Sequence, residues 1–289
     1  MQVTEVQRAI AAARSTARAL GLQVDDAVVL QNSNKLSLRL LPCDAFARVA
    51  PVAEQVAQFE VELAGRLAET KSPAAALEPR VPGRVFERDG FAITLWTFYA
   101  SLTPDLAAAD YANALRRLHA GMRTIEITAP HFTDRVAEAQ QLVANRERTP
   151  ELTDADRDFL SGMLESFRRL IVGRQATEQL LHGEPHPGNV LNTKIGPLFI
   201  DLETCCHGPI EFDLAHVPEG VTELYPGIDL AMLSDCRGLV LAMLAAWRWD
   251  AADQFPNGRR WAEHFIWTLR KAAPWPSLQV LVRELEGRG

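Results

Sequence analysis

The spacing of apolar positions changes several times along the chain, and each change predicts an element. Val6, Ile10, Ala13 and Ala17 recur at helical intervals, and Thr4 with Gln7 makes a candidate capping box, so a first helix is expected up to about Leu20. From residue 26 to 50 the pattern shortens to "AVVLQ", "KLSLRLL" and "AFARVA", separated by "NSN" and "PCD", which predicts three strands joined by tight turns. "VAEQVAQFEVELAGRLAE", residues 52 to 69, returns to helical spacing through Val56, Phe59, Leu63 and Leu67. "RVFERDGFAITLW" then supplies two strands around an Asp89-Gly90 hairpin turn.

Beyond about residue 104 the pattern is mainly helical: "DLAAADYANALRRLHAGM", "DRVAEAQQLVANRE", "TDADRDFLSGMLESFRRLIVG", an apolar helix ending near Trp249, and "RRWAEHFIWTLRKA". Two short strands, "VLNT" and "LFID", are expected to interrupt it as a small hairpin. Just before them lies "LHGEPHPGNVL", residues 181 to 191, where Pro185 and Pro187 remove backbone donors and Gly188 weakens any helix. It reads as a polar loop anchored by apolar flanks, the kind of segment that carries function. The expected fold class is therefore α+β, with a small N-terminal lobe built on an antiparallel sheet (1–98) and a larger, mostly helical C-terminal lobe (99–289). The Pro/Ala-rich "KSPAAALEPRVPG" is the one linker-like stretch, and no internal repeat is seen.

Charge narrows the partners. A formal net charge of -7 argues against a broad nucleic-acid surface and suits a cationic small molecule better. Cys43, Cys205, Cys206 and Cys236 are irregularly spaced, matching neither a disulfide framework nor a paired zinc motif. The longest apolar run, residues 239 to 247, falls short of the roughly 20 residues that cross a bilayer. "MQVTEVQRAIAAARSTARAL" contains acid and lacks the pattern of a secretory signal. The expectation is a cytoplasmic protein with reduced thiols and no membrane or nucleic-acid partner.

The chemistry gathers around the polar loop. Glu184 and Asn189 stand on it, and Asp201 follows Asn189 by twelve residues at the end of the second short strand. Oxygen ligands of this kind suit Mg²⁺, which binds through one or two carboxylates and substrate phosphates. An unliganded acid nearby can take a proton from a hydroxyl nucleophile. This is the layout of kinase-type phosphoryl transfer, which relies on positioning and electrostatics.

At these residues the chain resembles the aminoglycoside phosphotransferase family. "HGEPHPGNVL" and "FIDLETCCHGPIEFDLA" are similar to that family's HGDxxxxN and IDFxxxxxGPxxxDLA segments, and "LRRLHA", "RDGFAITLW" and "NSNKLSLRL" before "FARVA" extend the likeness over about residues 28 to 216. The resemblance implies a bilobal protein-kinase-like fold and transfer of the γ-phosphate of ATP or GTP to a hydroxyl of a small molecule. It implies Glu184 as catalytic base, Asn189 and Asp201 as Mg²⁺ ligands, His182 as a brace for the loop, and Asp213 as a tie to the loop backbone. Arg48 falls at the phosphate-pairing position with Glu60 to orient it, Ser33 and Asn34 lie at the turn over the phosphates, and main-chain groups near Trp96 and Phe98 meet the purine. An aminoglycoside or other cationic antibiotic is the first candidate acceptor, with a role in antibiotic resistance. Choline, homoserine, sugars and other antibiotics are further acceptors in the family. Asp134, Glu138, Asp154 and Asp158 are candidate anionic contacts for a cationic acceptor.

The chain departs from the family pattern twice. Glu184 replaces the usual Asp, one methylene longer, and "QNSNK" has no glycine. These departures motivate the alternative of a nucleotide-binding module without turnover. Arg48 with Glu60 also reads as an ordinary solvated pair, and Ser33 and Asn34 as plain turn residues. "HGE" matches the first half of a zinc-deaminase signature, but the P-C-x-x-C half is missing, and Pro185 forbids the helix that would align His182 with His186.

Overall fold

Leu36, Leu38 and Leu40 are fully buried while Ser37 and Arg39 between them are partly exposed, a two-residue alternation that fixes which face of the strand meets the core. In the computed structural model, which describes residues 1, 3–33, 35–52, 56–102, 106–271 and 273–286, this strand is the second of five in an antiparallel sheet. The strands are β1 (Val24–Asn32), β2 (Leu36–Pro42), β3 (Ala45–Pro51), β4 (Phe86–Arg88) and β5 (Phe91–Thr97), in the order β1-β2-β3-β5-β4. Before the sheet comes helix α1 (Val3–Ala19), and between β3 and β4 comes α2 (Val56–Glu69).

Two details of α1 differ from the sequence reading. Its fully buried face is Ala9, Ala12, Ala13 and Ala17, with Val6 and Ile10 only partly buried beside it. Small side chains let a helix approach a sheet closely, so the alanines take the centre of the contact and the larger residues its edge. The helix also opens at Val3, which places Thr4 inside the first turn instead of at the cap. β1 is longer than "AVVLQ" and carries register shifts at Val24/Asp26 and Val29/Gln31. The helix expected from 52 begins at Val56; Val52 is in a turn, and residues 53–55 lie outside those described.

The remaining elements are α3 (Ala108–Met122), α4 (Phe132–Ala144), α5 (Asp154–Gly173), β6 (Glu178–Leu181), β7 (Val190–Thr193), β8 (Gly196–Phe199), β9 (Cys206–Pro209), the short α6 (Ile210–Leu214) and α7 (Glu219–Glu223), α8 (Leu230–Arg248), α9 (Gly258–Leu269) and α10 (Leu278–Glu286). β7 and β8 form the expected hairpin, but β8 ends at Phe199, two residues before Asp201. A second ladder, β6 with β9, was not legible in the sequence, nor was α10. α4 runs from Phe132 to Ala144, earlier than "DRVAEAQQLVANRE", because His131 caps its start and Asn145 stops it by turning its side chain to the amides of Glu147 and Arg148. α8 is long and apolar enough to cross a membrane by length and composition, yet 67% of its apolar window is buried within the fold.

The chain divides into two compact units. The first comprises Met1–Leu106, Ala120–Ile127 and Asn189–Glu203; the second comprises Ala107–His119, Thr128–Gly188 and Thr204–Gly289. The β7–β8 hairpin, with Asn189 before it and Asp201 after it, thus belongs with the five-stranded sheet, while Glu184 belongs with the helices. The α+β architecture expected from the alternation of apolar patterns is the one found.

Candidate active site

In the first unit a charged network is built from distant parts of the sequence. β2 and β3 pair so that Ser37 lies opposite Arg48, and Arg48 projects its guanidinium to two acids. Nη1 donates to Glu60 Oε1 on α2 at 2.7 Å, and Nη2 donates to Asp201 Oδ1 at 2.6 Å. Lys35, immediately before β2, donates from Nζ to the other oxygen of Glu60 at 3.3 Å and also pairs with Glu203. Glu60 is 2% exposed, so this is no solvated surface pair. Burial draws its carboxyl's pKa upward, against the pull of Arg48 and Lys35. Removing either cation would leave a buried carboxylate half-compensated, the situation in which ion pairs matter most.

Asp201 adopts φ 65°, the left-handed region that Asp tolerates better than most residues, which turns the chain sharply out of the hairpin. The carboxylate oxygens of Glu60, Asp201 and Glu203 lie within 4.8 Å of one another, and they are the one group of three potential metal ligands among the described residues. An all-oxygen donor set of this charge fits a hard divalent cation and not zinc, which favours nitrogen and sulfur. Asn189, 9% exposed, ends a single 3₁₀ turn (Pro187–Asn189), and its carbonyl accepts the Ile200 amide at 3.0 Å. Ser33 is exposed at the β1–β2 turn, where its amide donates to the Lys35 carbonyl at 3.1 Å; Asn34 lies outside the described residues.

At the end of β5, Trp96 is buried, with Nε1 donating to Thr94 Oγ1 at 2.8 Å. The ring of Phe98 lies under the Arg39 guanidinium, 4.1 Å from its centroid. Two main-chain groups here are already engaged by the linker-like stretch: the Leu95 carbonyl accepts the Glu78 amide, and the Thr97 amide donates to the Ala76 carbonyl.

In the second unit the polar loop is clamped. Asp213, fully buried on α6, accepts the amides of His182 at 2.9 Å and Gly183 at 2.7 Å, and pairs with His119 Nε2 at 2.9 Å. Burial alone would raise its pKa, but the His119 bond and the loop amides outweigh that and hold it below the ordinary carboxylate range. His119 is itself completed by the Tyr225 hydroxyl at 2.7 Å. Gly183 has φ +87°, and a β-carbon there would run into the Thr204 carbonyl, so only glycine fits. Thr204 Oγ1 donates to the His182 carbonyl at 3.0 Å, and the Tyr111 hydroxyl donates to the Pro185 carbonyl. His182 is fully buried at the base of the loop.

Glu184 leaves this rigid loop to meet Arg135 of α4, whose guanidinium also lies over the Trp247 ring, 5.0 Å from its centroid. Burial works to raise the Glu184 pKa, yet Arg135, with help from His216 and His186, holds it below the usual carboxylate range. The extra methylene of Glu over Asp therefore ends against a fixed partner. Burial pushes the neighbouring His216 down to about 4, so it is neutral at pH 7. Nothing in the sequence marked Arg135, Lys35 or Glu203; the last stood inside the quoted "FIDLE" without a role. Asp134 spends its carboxylate on capping α4, accepting the His131 amide at 2.8 Å, and Asp154 pairs with Arg146 at 2.6 Å on the surface. Cys205 and Cys206 are buried, and neither is in a disulfide.

On this α+β fold, the family match makes the chain a small-molecule kinase, a phosphotransferase with an alcohol group as acceptor. The chain belongs to the phosphotransferase enzyme family, whose model matches residues 23–275. Among solved structures, an amicoumacin kinase in complex with AMP-PNP and Ca²⁺ is similar over 97% of this chain and 100% of its own, at 11% identity and TM-score 0.72. A choline/ethanolamine kinase family protein from Mesorhizobium loti is similar over 93% and 94%, at 16% identity and TM-score 0.63. A spectinomycin phosphotransferase in complex with ADP and spectinomycin is similar over 94% and 95%, at 13% identity and TM-score 0.62. At such identities the likeness is one of fold, protein-kinase-like in character. No curated protein matches the chain in sequence.

Proposed function

We propose that this enzyme transfers the γ-phosphate of ATP or GTP to a hydroxyl of a small molecule, with Glu184 as base and Asn189 and Asp201 as the ligands of Mg²⁺. The observation that carries the reading is the Arg48 guanidinium joining Glu60 to Asp201, which ties the phosphate-pairing candidate to the metal candidate in one network. Asn189 and Asp201 would hold the Mg²⁺, whose charge would offset that developing on the transferred phosphoryl group. Arg48 then serves to hold the nucleotide phosphates, and Glu60 to fix Arg48. Glu184, kept ionised by Arg135, is ready to accept the hydroxyl proton of the acceptor at neutral pH. Its low basicity is no obstacle, because a loose phosphoryl-transfer transition state asks little of the base until late.

Main-chain groups near Trp96 and Phe98 are proposed to meet the purine, and the turn at Ser33 and Asn34 to lie over the phosphates. An aminoglycoside or another cationic antibiotic is the first acceptor to try: three of the folds resembled belong to proteins named for amicoumacin, choline/ethanolamine and spectinomycin. The test is Asp201→Asn. It is expected to remove Mg²⁺-dependent tightening of nucleotide binding and to cut transfer by at least a hundredfold, an order-of-magnitude estimate for an electrostatic stabiliser. Normal transfer in that variant would refute the metal assignment.

A further inference from the structure

We infer that the Lys35 ammonium is a second phosphate-pairing cation, working beside Arg48 where a glycine-rich loop would otherwise offer backbone amides; this rests on the kinase reading proposed above. The argument starts from the turn between β1 and β2. A loop that cradles phosphate through its main chain needs free N–H groups and usually glycine, so that the backbone can approach closely. Here the stretch "QNSNK" has no glycine, and the Ser33 amide is occupied by the Lys35 carbonyl at 3.1 Å. Lys35, the last residue of that stretch, offers another source of positive charge.

The strand register directs it. Ser37 lies opposite Arg48, and Lys35, two residues before Ser37, stands on the same face of the sheet as Arg48. Both side chains reach one carboxylate, with Arg48 on Oε1 of Glu60 and Lys35 on Oε2. Both also line one small cavity with Ala50, Ala57, Glu60, Ala92 and Thr94.

The charges around Lys35 are divided by depth. Glu60 is 2% exposed and fixed, whereas the Glu203 and Asp201 side chains are 31% and 29% exposed. Asp201 is the one proposed above to turn to the metal of a bound triphosphate, and the two cations that the outer carboxylates now hold, Lys35 and Arg48, would pass to phosphate oxygens. Lysine suits such a handover: its ammonium is a compact charge with rotatable donors, without arginine's fixed fork geometry.

The experiment measures binding, by calorimetry on the full chain with Mg²⁺, of the better-bound of ATP and GTP, of its diphosphate and of its nucleoside. Lys35→Gln is expected to weaken triphosphate and diphosphate binding roughly 10- to 100-fold, the range for one charge-assisted hydrogen bond, and to leave nucleoside binding unchanged. Lys35→Arg is expected to recover most of the loss. Unchanged triphosphate affinity in Lys35→Gln overturns the inference. So does an equal loss for nucleoside and triphosphate, or failure of Lys35→Arg to recover any of it, since either outcome assigns Lys35 to holding Glu60 alone. A wild-type chain that binds none of these nucleotides overturns the kinase reading itself, and the inference with it.

Discussion

Replacing Asp213 should release the motif loop. Asp213 is fully buried and carries three hydrogen bonds, from the His182 and Gly183 amides and from His119 Nε2, at 2.7 to 2.9 Å. Hydrogen bonds to a charged acceptor contribute about 1.5–3 kcal/mol each, and a buried donor left without a partner costs about 1–3 kcal/mol. The three share one carboxylate and cannot be added. Asp213→Ala is therefore expected to cost about 3–5 kcal/mol, the range for breaking a buried pair from one side. That is a large part of an ordinary domain's 5–15 kcal/mol, roughly speaking. Asp213→Asn retains one acceptor oxygen and should lose about 2 kcal/mol.

Urea unfolding at pH 7 measures both losses. The pH dependence supplies a second reading. Because the folded-state pKa of Asp213 is lowered, its stabilisation is present above the carboxylate's unfolded value and is lost as the pH falls through the folded one. Asp213→Asn should accordingly show a flatter loss of stability on acidification than the wild type. A cost below about 1 kcal/mol for Asp213→Ala, with two amides orphaned, would mean that the loop is held by something other than this carboxylate.

Two further expectations concern the surroundings of Glu184. Arg135→Met removes the attraction that keeps Glu184 below the usual carboxylate range while the burial that raises it persists, so the acid limb of the kcat profile should move to higher pH; an unmoved limb would detach Arg135 from the base. His216, with a folded value near 4 against an ordinary 6.5, stays neutral while the unfolded chain takes up a proton. Stability present above about pH 6.5 is then lost on the way to pH 4, by up to about 3 kcal/mol. His216→Gln should lose correspondingly less between pH 7.5 and 4.5 in urea unfolding, and an identical loss in both proteins would refute the neutral-histidine account.

Local pattern carried the sheet because β2 alternates cleanly and the Asp89-Gly90 turn joins β4 to β5, so period and turn chemistry agreed. It missed β6 and β9, whose four residues each, "EQLL" and "CHGP", are too short to show a period. The loop from His182 to Asn189 was legible because prolines and glycine exclude both regular structures, and the acids stood at motif spacing. The residues that complete the site were not legible, for a different reason. Lys35 meets Glu203 across 168 positions and Arg135 meets Glu184 across 49, and no local pattern encodes such pairings. Arg135 sits in an amphipathic helix beside Asp134, indistinguishable in sequence from a solvated residue.

The most direct test is phosphate transfer from ATP and from GTP, with Mg²⁺, to a panel of aminoglycosides, other cationic antibiotics and small metabolite alcohols, run with wild-type protein and Glu184→Gln. The account predicts ADP or GDP released only when a suitable alcohol is present, with the activity lost in Glu184→Gln while nucleotide binding is retained. Acceptor-dependent turnover that survives in Glu184→Gln would contradict the role given to Glu184, and nucleotide bound without turnover on any acceptor would favour a binding module in place of an enzyme.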